Sequence, residues 1–358
     1  MSDARSTTVL QRFAPAVAPV VALLIAAVVG DVLILAFGQS PADVYRLLLD
    51  GTLGNAYGMG QVIYKATTLA FTGLAVAVGL RAGLFNIGAE GQLAMGGFCA
   101  ALMGLWLPAG MPGVVAIPLC LAAAGVGGAA VGAVPGALKA RFGTSEVIVT
   151  IMLNFIVLAL LNWFVSTRLH VPEQLHTPEI QAGQVGRLSS VVAAFHGSAA
   201  NGMVLGALLA AGVVAWYLFR TRAGFELRAV GLQPPAAEAG GVRVGGVWFR
   251  ALLLSGALAG LGGTNYVLGY KRYYEEGFAA GAGYIGIAVA LVGRNHPVGV
   301  LLAAVLFAVL SQGGLAVNAM VPKQMVDVLT AVVIIAVAVT VPEVQRLVRN
   351  VGSGNSPS

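Results

Sequence analysis

The chain has 358 residues, 58% of them hydrophobic and only 9% charged, with a formal net charge of +6. Ordinary soluble domains carry roughly 25% charged residues, so a soluble body of this size would lack the charge to cover its surface. Repeated apolar runs of about 20 residues identify instead an all-α polytopic membrane protein, and they exclude a nucleic-acid binder built on the basic excess.

The N-terminal stretch "MSDARSTTVLQRF" precedes an apolar run from Ala14 to Phe37. That run is longer than the roughly 7–15 residue core of a cleaved signal and reads as an uncleaved first span. Next comes "PADVYRLLLDG", amphipathic and predicted to lie along the outer membrane face. Further spans are predicted over 63–80, 86–107, 113–137, 146–167, 202–219, 250–269, 278–293, 298–317 and 325–341, about ten in all. The membrane domain then covers 14–341, with short cytoplasmic ends at 1–13 and 342–358. Lys139, Arg141, Arg220, Arg222, Arg228 and Arg243 fall in connections on the side of the N-terminus, which predicts that both termini are cytoplasmic. Two connections exceed hairpin length: an outer loop over 168–201 and an inner one over 220–249.

Chemistry concentrates in "RAGLFNIGAEGQ", Arg81 to Gln92, which sets a cation, an anion, two amides and three glycines between apolar runs. A carboxylate at membrane depth costs at least about 2.5 kcal/mol on the insertion scale. If the segment is helical, Asn86 and Glu90 share a face while Gln92 points elsewhere. They then either face a polar cavity or tie helices together. A break at Gly83 and Gly88 makes Arg81 a possible partner for Glu90, and broken helices are where transporters place substrate. Asn154, in "SEVIVTIMLNFI", and Asn265, in "GGTNYVLGY", carry the same two readings.

Glycines four apart, at 128, 132 and 136 and again at 256 and 260, predict close helix packing. "GLFNIGAEGQLAM" from Gly83 can be laid over "GAGYIGIAVALVG" from Gly281. The two lie an odd number of spans apart, which suggests inverted five-helix halves. Gly281, Gly283 and Gly286 fit a dinucleotide fingerprint by spacing, but membrane spans flank them where a strand and helix are required. No phosphate-binding loop, catalytic constellation or metal-ligand spacing occurs, so neither an enzyme nor a cofactor is expected. In the inner loop, "LRAVGLQPPAAEAGGVRV" combines arginines, a diproline and small residues, a composition suited to a docking surface.

"RAGLFNIGAEGQ", "SEVIVTIMLNFI", "LRAVGLQPPAAEAGGV", "SGALAGLGG" and "GYIGIAVALVGRNHPVGVLLAAVLF" together resemble the permease subunits of ABC importers. Within these they are most similar to the branch of nucleoside, simple-sugar and branched-chain amino acid permeases. The resemblance implies a type II-like importer fold in the bacterial inner membrane and a second permease subunit, the same or paralogous. It also implies a separate cytoplasmic ATPase and an extracytoplasmic substrate-binding protein. Carried onto this chain, Arg228, Gly231, Pro234, Ala236, Ala237 and Gly240 become the ATPase-coupling residues, with Pro234–Pro235 replacing a more usual Asn-Pro pair. Asn86, Glu90, Gln92, Asn154 and Asn265 become candidate pathway residues for a nucleoside, whose base and ribose suit amide hydrogen bonding. A simple sugar, or an ion-coupled mechanism using Glu90 or Asp31, is the alternative.

Overall fold

The computed structural model describes residues 24, 25, 27–318, 320, 322, 327, 328, 331, 332 and 334–336. Ten of the 17 residues of the predicted span over 325–341 lie outside these residues, as do both terminal segments and the start of the first span.

Two units separate. One holds residues 1–54 and 310–358, the other 55–309. In the first, α1 (Ala27–Ala36) and α2 (Pro41–Thr52) meet at a bend of 113°. Ser40 caps α2 by accepting the Asp43 N–H at 3.5 Å, and Pro41 opens the helix where a missing N–H costs nothing. Ile34, Val44 and Val317 form this unit's small core.

The second unit is a helix bundle: α3 (Ala56–Arg81), α4 (Ala89–Trp106), α5 (Gly113–Phe142), α6 (Glu146–Phe164), α7 (Met203–Arg220), α8 (Arg222–Leu232), α9 (Pro234–Ala239), α10 (Val244–Val267), α11 (Ala282–Val292) and α12 (Pro297–Val317), which runs on into the first unit. Among the described residues six helices are long and apolar enough to cross a membrane, or seven if α1 and α2 form one bent span. Two predicted spans differ from expectation. The helix expected over 86–107 starts at Ala89 and carries Glu90 and Gln92 in its first turns, and the one expected over 278–293 is an 11-residue helix. At 1.5 Å per residue α11 is about 16 Å long, half of what a bilayer core requires.

α10 packs against α5, α4 and α3, and α3 against α11 and α7. The glycine spacings make these approaches possible. A Cβ on Gly128 would overlap the carbonyl oxygen of Gly256, one on Gly132 that of Leu252, and one on Gly260 that of Ala124. Helices α5 and α10 therefore touch main chain to main chain. Gly256→Leu is expected to destabilise the protein by about 1–3 kcal/mol or more through overpacking. A lowered melting temperature in detergent would show it, and an unchanged one would contradict this packing.

The 168–201 connection is not a free loop. Thr177 N–H donates to the Tyr274 carbonyl (2.9 Å), Ile180 N–H to that of Arg272 (2.7 Å) and Val185 N–H to that of Leu268 (2.9 Å), which binds the segment along 268–274.

Candidate functional site

The "RAGLFNIGAEGQ" stretch is a true interruption. α3 ends at Arg81, residues 82–88 are not helical, and α4 starts at Ala89. Gly83 turns the chain with φ +74°, a conformation that costs other residues roughly 1–2 kcal/mol. Gly88 has an ordinary φ of −74° and serves differently: a Cβ there would crowd Asn86 Oδ1 at 3.0 Å and Gln92 Nε2 at 3.1 Å.

Because residues 82–88 leave the helix, the expected Asn86–Glu90 face does not form. Asn86 pairs instead with Gln92, donating from Nδ2 to Oε1 (2.8 Å) and accepting at Oδ1 from Nε2 (3.2 Å). The same Oδ1 accepts the Gly88 N–H, and Nδ2 also reaches Ser255 Oγ on α10 at 2.7 Å. Ser255 in turn donates to the Ala75 carbonyl at 2.6 Å. All three side chains are fully buried, so an unmade bond here would cost roughly 1–3 kcal/mol, and none is left unmade.

Two helices, α4 and the short α11, begin side by side at this break. Thr72 Oγ1, in the middle of α3, donates to the Ala282 carbonyl at 3.1 Å, and a Cβ on Gly283 would overlap the Glu90 backbone. Their N-termini therefore lie about nine residues, roughly 14 Å, up α3 from Arg81. α11 then runs parallel to α3 toward Arg81. Each of the two starts at a glycine, Gly88 or Gly281, which offers no capping side chain. Each takes its cap from another helix. Asn154 Oδ1 on α6 accepts the Gly91 N–H of α4 (2.9 Å), while its Nδ2 donates to the Ile87 carbonyl (2.9 Å) and the Tyr284 hydroxyl (3.2 Å). Glu90 accepts the Gly281 N–H at 2.9 Å and the Gly283 N–H at 2.7 Å.

Glu90 is thus the N-terminal cap of α11, supplied by α4. Arg81 is not its partner. Arg81 donates from Nε to the Asn295 carbonyl (2.9 Å) and from Nη2 to that of Arg294 (3.5 Å), in the turn just beyond α11. One twelve-residue stretch therefore holds a short helix at both ends, a carboxyl group at its start and a guanidinium at its finish. Gly83 and Gly281, aligned in the faint repeat, both have positive φ, +74° and +82°. The arrangement of α3 with α4 and of α10 with α11 is consistent with inverted halves.

Asn265 lies apart from this set. It donates to the Tyr64 carbonyl (2.9 Å) and Thr68 Oγ1 (2.8 Å) and accepts from Asn201 (2.9 Å). Sequence reasoning missed Tyr284, Thr72 and Ser255. Tyr284 is 44% exposed at the junction although its hydroxyl is pinned by Asn154. The repeat held the signal, because it aligns Tyr284 with Asn86.

In the basic segment, Thr221 caps α8 by accepting the Gly224 N–H (3.0 Å), and Pro234 and Pro235 occupy the first two positions of α9. Ala236 and Gly240 are exposed and Ala237 is buried. Gly231 lies against the 81–83 turn, where a Cβ would overlap the Arg81 carbonyl oxygen. Glu226 links Arg250 (3.0 Å) and Arg222 (3.1 Å), and these guanidiniums, Arg250 foremost, hold its carboxyl below the usual range. With Arg243 and Phe249 they line a hollow of about 630 Å³.

The family described as branched-chain amino acid transport system / permease component matches residues 58–338. The guanosine ABC transporter permease protein NupP of Bacillus subtilis is 38% identical, over 92% of this chain and 94% of the relative. The nucleoside ABC transporter permease protein NupB of Lactococcus lactis is 35% identical, over 90% of each chain. A glucose ABC transporter permease protein of Haloferax volcanii is also 35% identical, over 88% of this chain and 85% of the relative. The chain belongs to this permease family and is a multi-pass transport component, not an enzyme.

Proposed function

We propose that this permease component forms the membrane pathway of an ATP-driven importer for nucleosides. The observation that carries the reading is the junction of α4 and α11, where a helix interrupted from α3 and a half-length helix start part-way along α3 with their polar ends buried in protein. Broken helices of this kind are how transporters bring backbone dipoles to a substrate path. Asn86, Glu90, Gln92 and Asn154 frame the junction, and Tyr284 presents an aromatic face and a held hydroxyl to whatever passes. Asn265 braces the neighbouring stretch of α3. The nucleoside assignment follows two relatives above. The glucose permease is the specific reason to test a hexose beside it.

α8 and α9 form the ATPase dock, with Gly231, Pro234, Ala236, Ala237 and Gly240 shaping it and Arg228 tying it to the bundle. The rim of arginines around the 630 Å³ hollow supports this reading, since an importer's cytoplasmic side is the basic one. On it the protein sits in the inner membrane with both termini in the cytoplasm, pairs with a second permease, and receives substrate from a binding protein outside.

Reconstitution with its ATPase and binding protein tests the function. ATP-dependent uptake of radiolabelled guanosine, competed by other nucleosides and not by glucose, is the expected result. Uptake driven by an ion gradient without ATPase would overturn it. Orientation has its own check. A cysteine replacing Gln174 is expected to react with an impermeant thiol reagent in intact cells, and one replacing Glu238 only after the membrane is opened. Reaction of both from one side would refute the topology.

A further inference from the structure

One aromatic ring at the basic end of the bundle gathers side chains from three other elements. Phe219, in the last turn of α7, has the Arg81 guanidinium carbon 5.8 Å from its ring centre and that of Arg228, on α8, at 5.4 Å. The His296 ring, from the turn before α12, stacks on it at 5.4 Å with 27° between planes. Arg228 Nε is buried without a hydrogen-bond partner, and the guanidinium lies over the Phe219 ring. Two like charges beside one ring repel each other. The ring's negative face and the carbonyls of Arg294 and Asn295 offset that repulsion. A second link runs alongside: Gly231 of α8 presses its backbone against the Arg81–Gly83 turn.

α8 therefore cannot shift without acting on Arg81, and Arg81 holds the finish of α11, whose start carries Tyr284 and the Glu90 cap. We propose that Phe219 is a positioning residue through which the ATPase-docking helix α8 sets the placement of α11 during transport. The inference rests on the reading that α8 and α9 dock an ATPase. It adds the route by which that docking reaches the junction of α4 and α11. Phe219 touches neither substrate nor nucleotide. Its action is to hold Arg228 and Arg81 on one platform, so that displacement of the first changes the grip of the second.

The test uses the whole reconstituted importer and reads substrate moved per ATP hydrolysed. Phe219→Leu keeps an apolar side chain but removes the ring. The complex is expected to copurify with unchanged basal ATP hydrolysis, while substrate moved per ATP falls about two- to thirtyfold, the span of such couplings. Phe219→Trp, which keeps a ring face for both cations, is expected to restore the ratio. A double-mutant cycle separates coupling from local packing. Arg228→Gln is expected to lower the ratio in the native background and to add little once Phe219 is leucine. A wild-type ratio in Phe219→Leu would overturn the inference, as would losses that multiply in the double variant. Failure of Phe219→Trp, or loss of the ATPase from the Phe219→Leu complex, would overturn it too, by showing a purely structural role. If the unaltered complex shows no ATP-dependent uptake, it is the transport reading that fails.

Discussion

Glu90→Gln is expected to lower the melting temperature of the purified permease and to reduce uptake at least tenfold. The carboxylate accepts two backbone N–H groups at the start of α11, at 2.9 and 2.7 Å, and is only 5% exposed. A glutamine has one acceptor oxygen. Its amide nitrogen would face the second N–H, donor against donor. Losing a hydrogen bond costs about 0.5–1.5 kcal/mol, and leaving a buried N–H without a partner costs roughly 1–3 kcal/mol. Glu90→Ala removes both acceptors and is expected to do worse. An unchanged melting temperature in Glu90→Gln would show that the cap does not hold α11. Lowered uptake with unchanged melting would assign the carboxylate to the transport path alone.

Gly283→Val is expected to be more severe, leaving little folded permease in the membrane. Its Cβ would fall on the backbone nitrogen and Cα of Glu90, where main chain meets main chain and no side chain can swing away. α4 and α11 would have to separate, straining the core and stretching both Glu90 hydrogen bonds. Overpacking costs about 1–3 kcal/mol, to which the weakened cap adds a comparable amount. Immunodetection of membrane fractions and the melting temperature of surviving protein measure the effect. Normal amounts of stable Gly283→Val would rule out the close approach of α4 and α11.

Much of the membrane architecture was legible because lipid imposes it. Long apolar runs must become helices, since no other open structure satisfies its backbone in a bilayer. The glycine spacings of α5 and α10 were equally readable, because small residues one turn apart have a direct use in close packing. The short helix α11 was harder. Residues 278–293 are apolar enough for a span, and nothing in their hydropathy says that the helix starts only at Ala282. A break is decided by where hydrogen-bond partners lie, and those partners are far away in the chain.

The opening stretch divides the matter most sharply. The sequence alone established that Arg81, Asn86, Glu90 and Gln92 are too costly in lipid to be incidental, and that Gly83 permits a turn. Only the tertiary structure decided what each one does. Asn86 turned to Gln92 and Ser255 once residues 82–88 left the helix. Glu90 went to Gly281 and Gly283, and Arg81 to the far end of the same α11, more than 200 residues along. Burial cost is a property of a residue and its solvent, so it can be read locally. The group that offsets it is fixed by how helices pack, and packing is known only when every helix is in place.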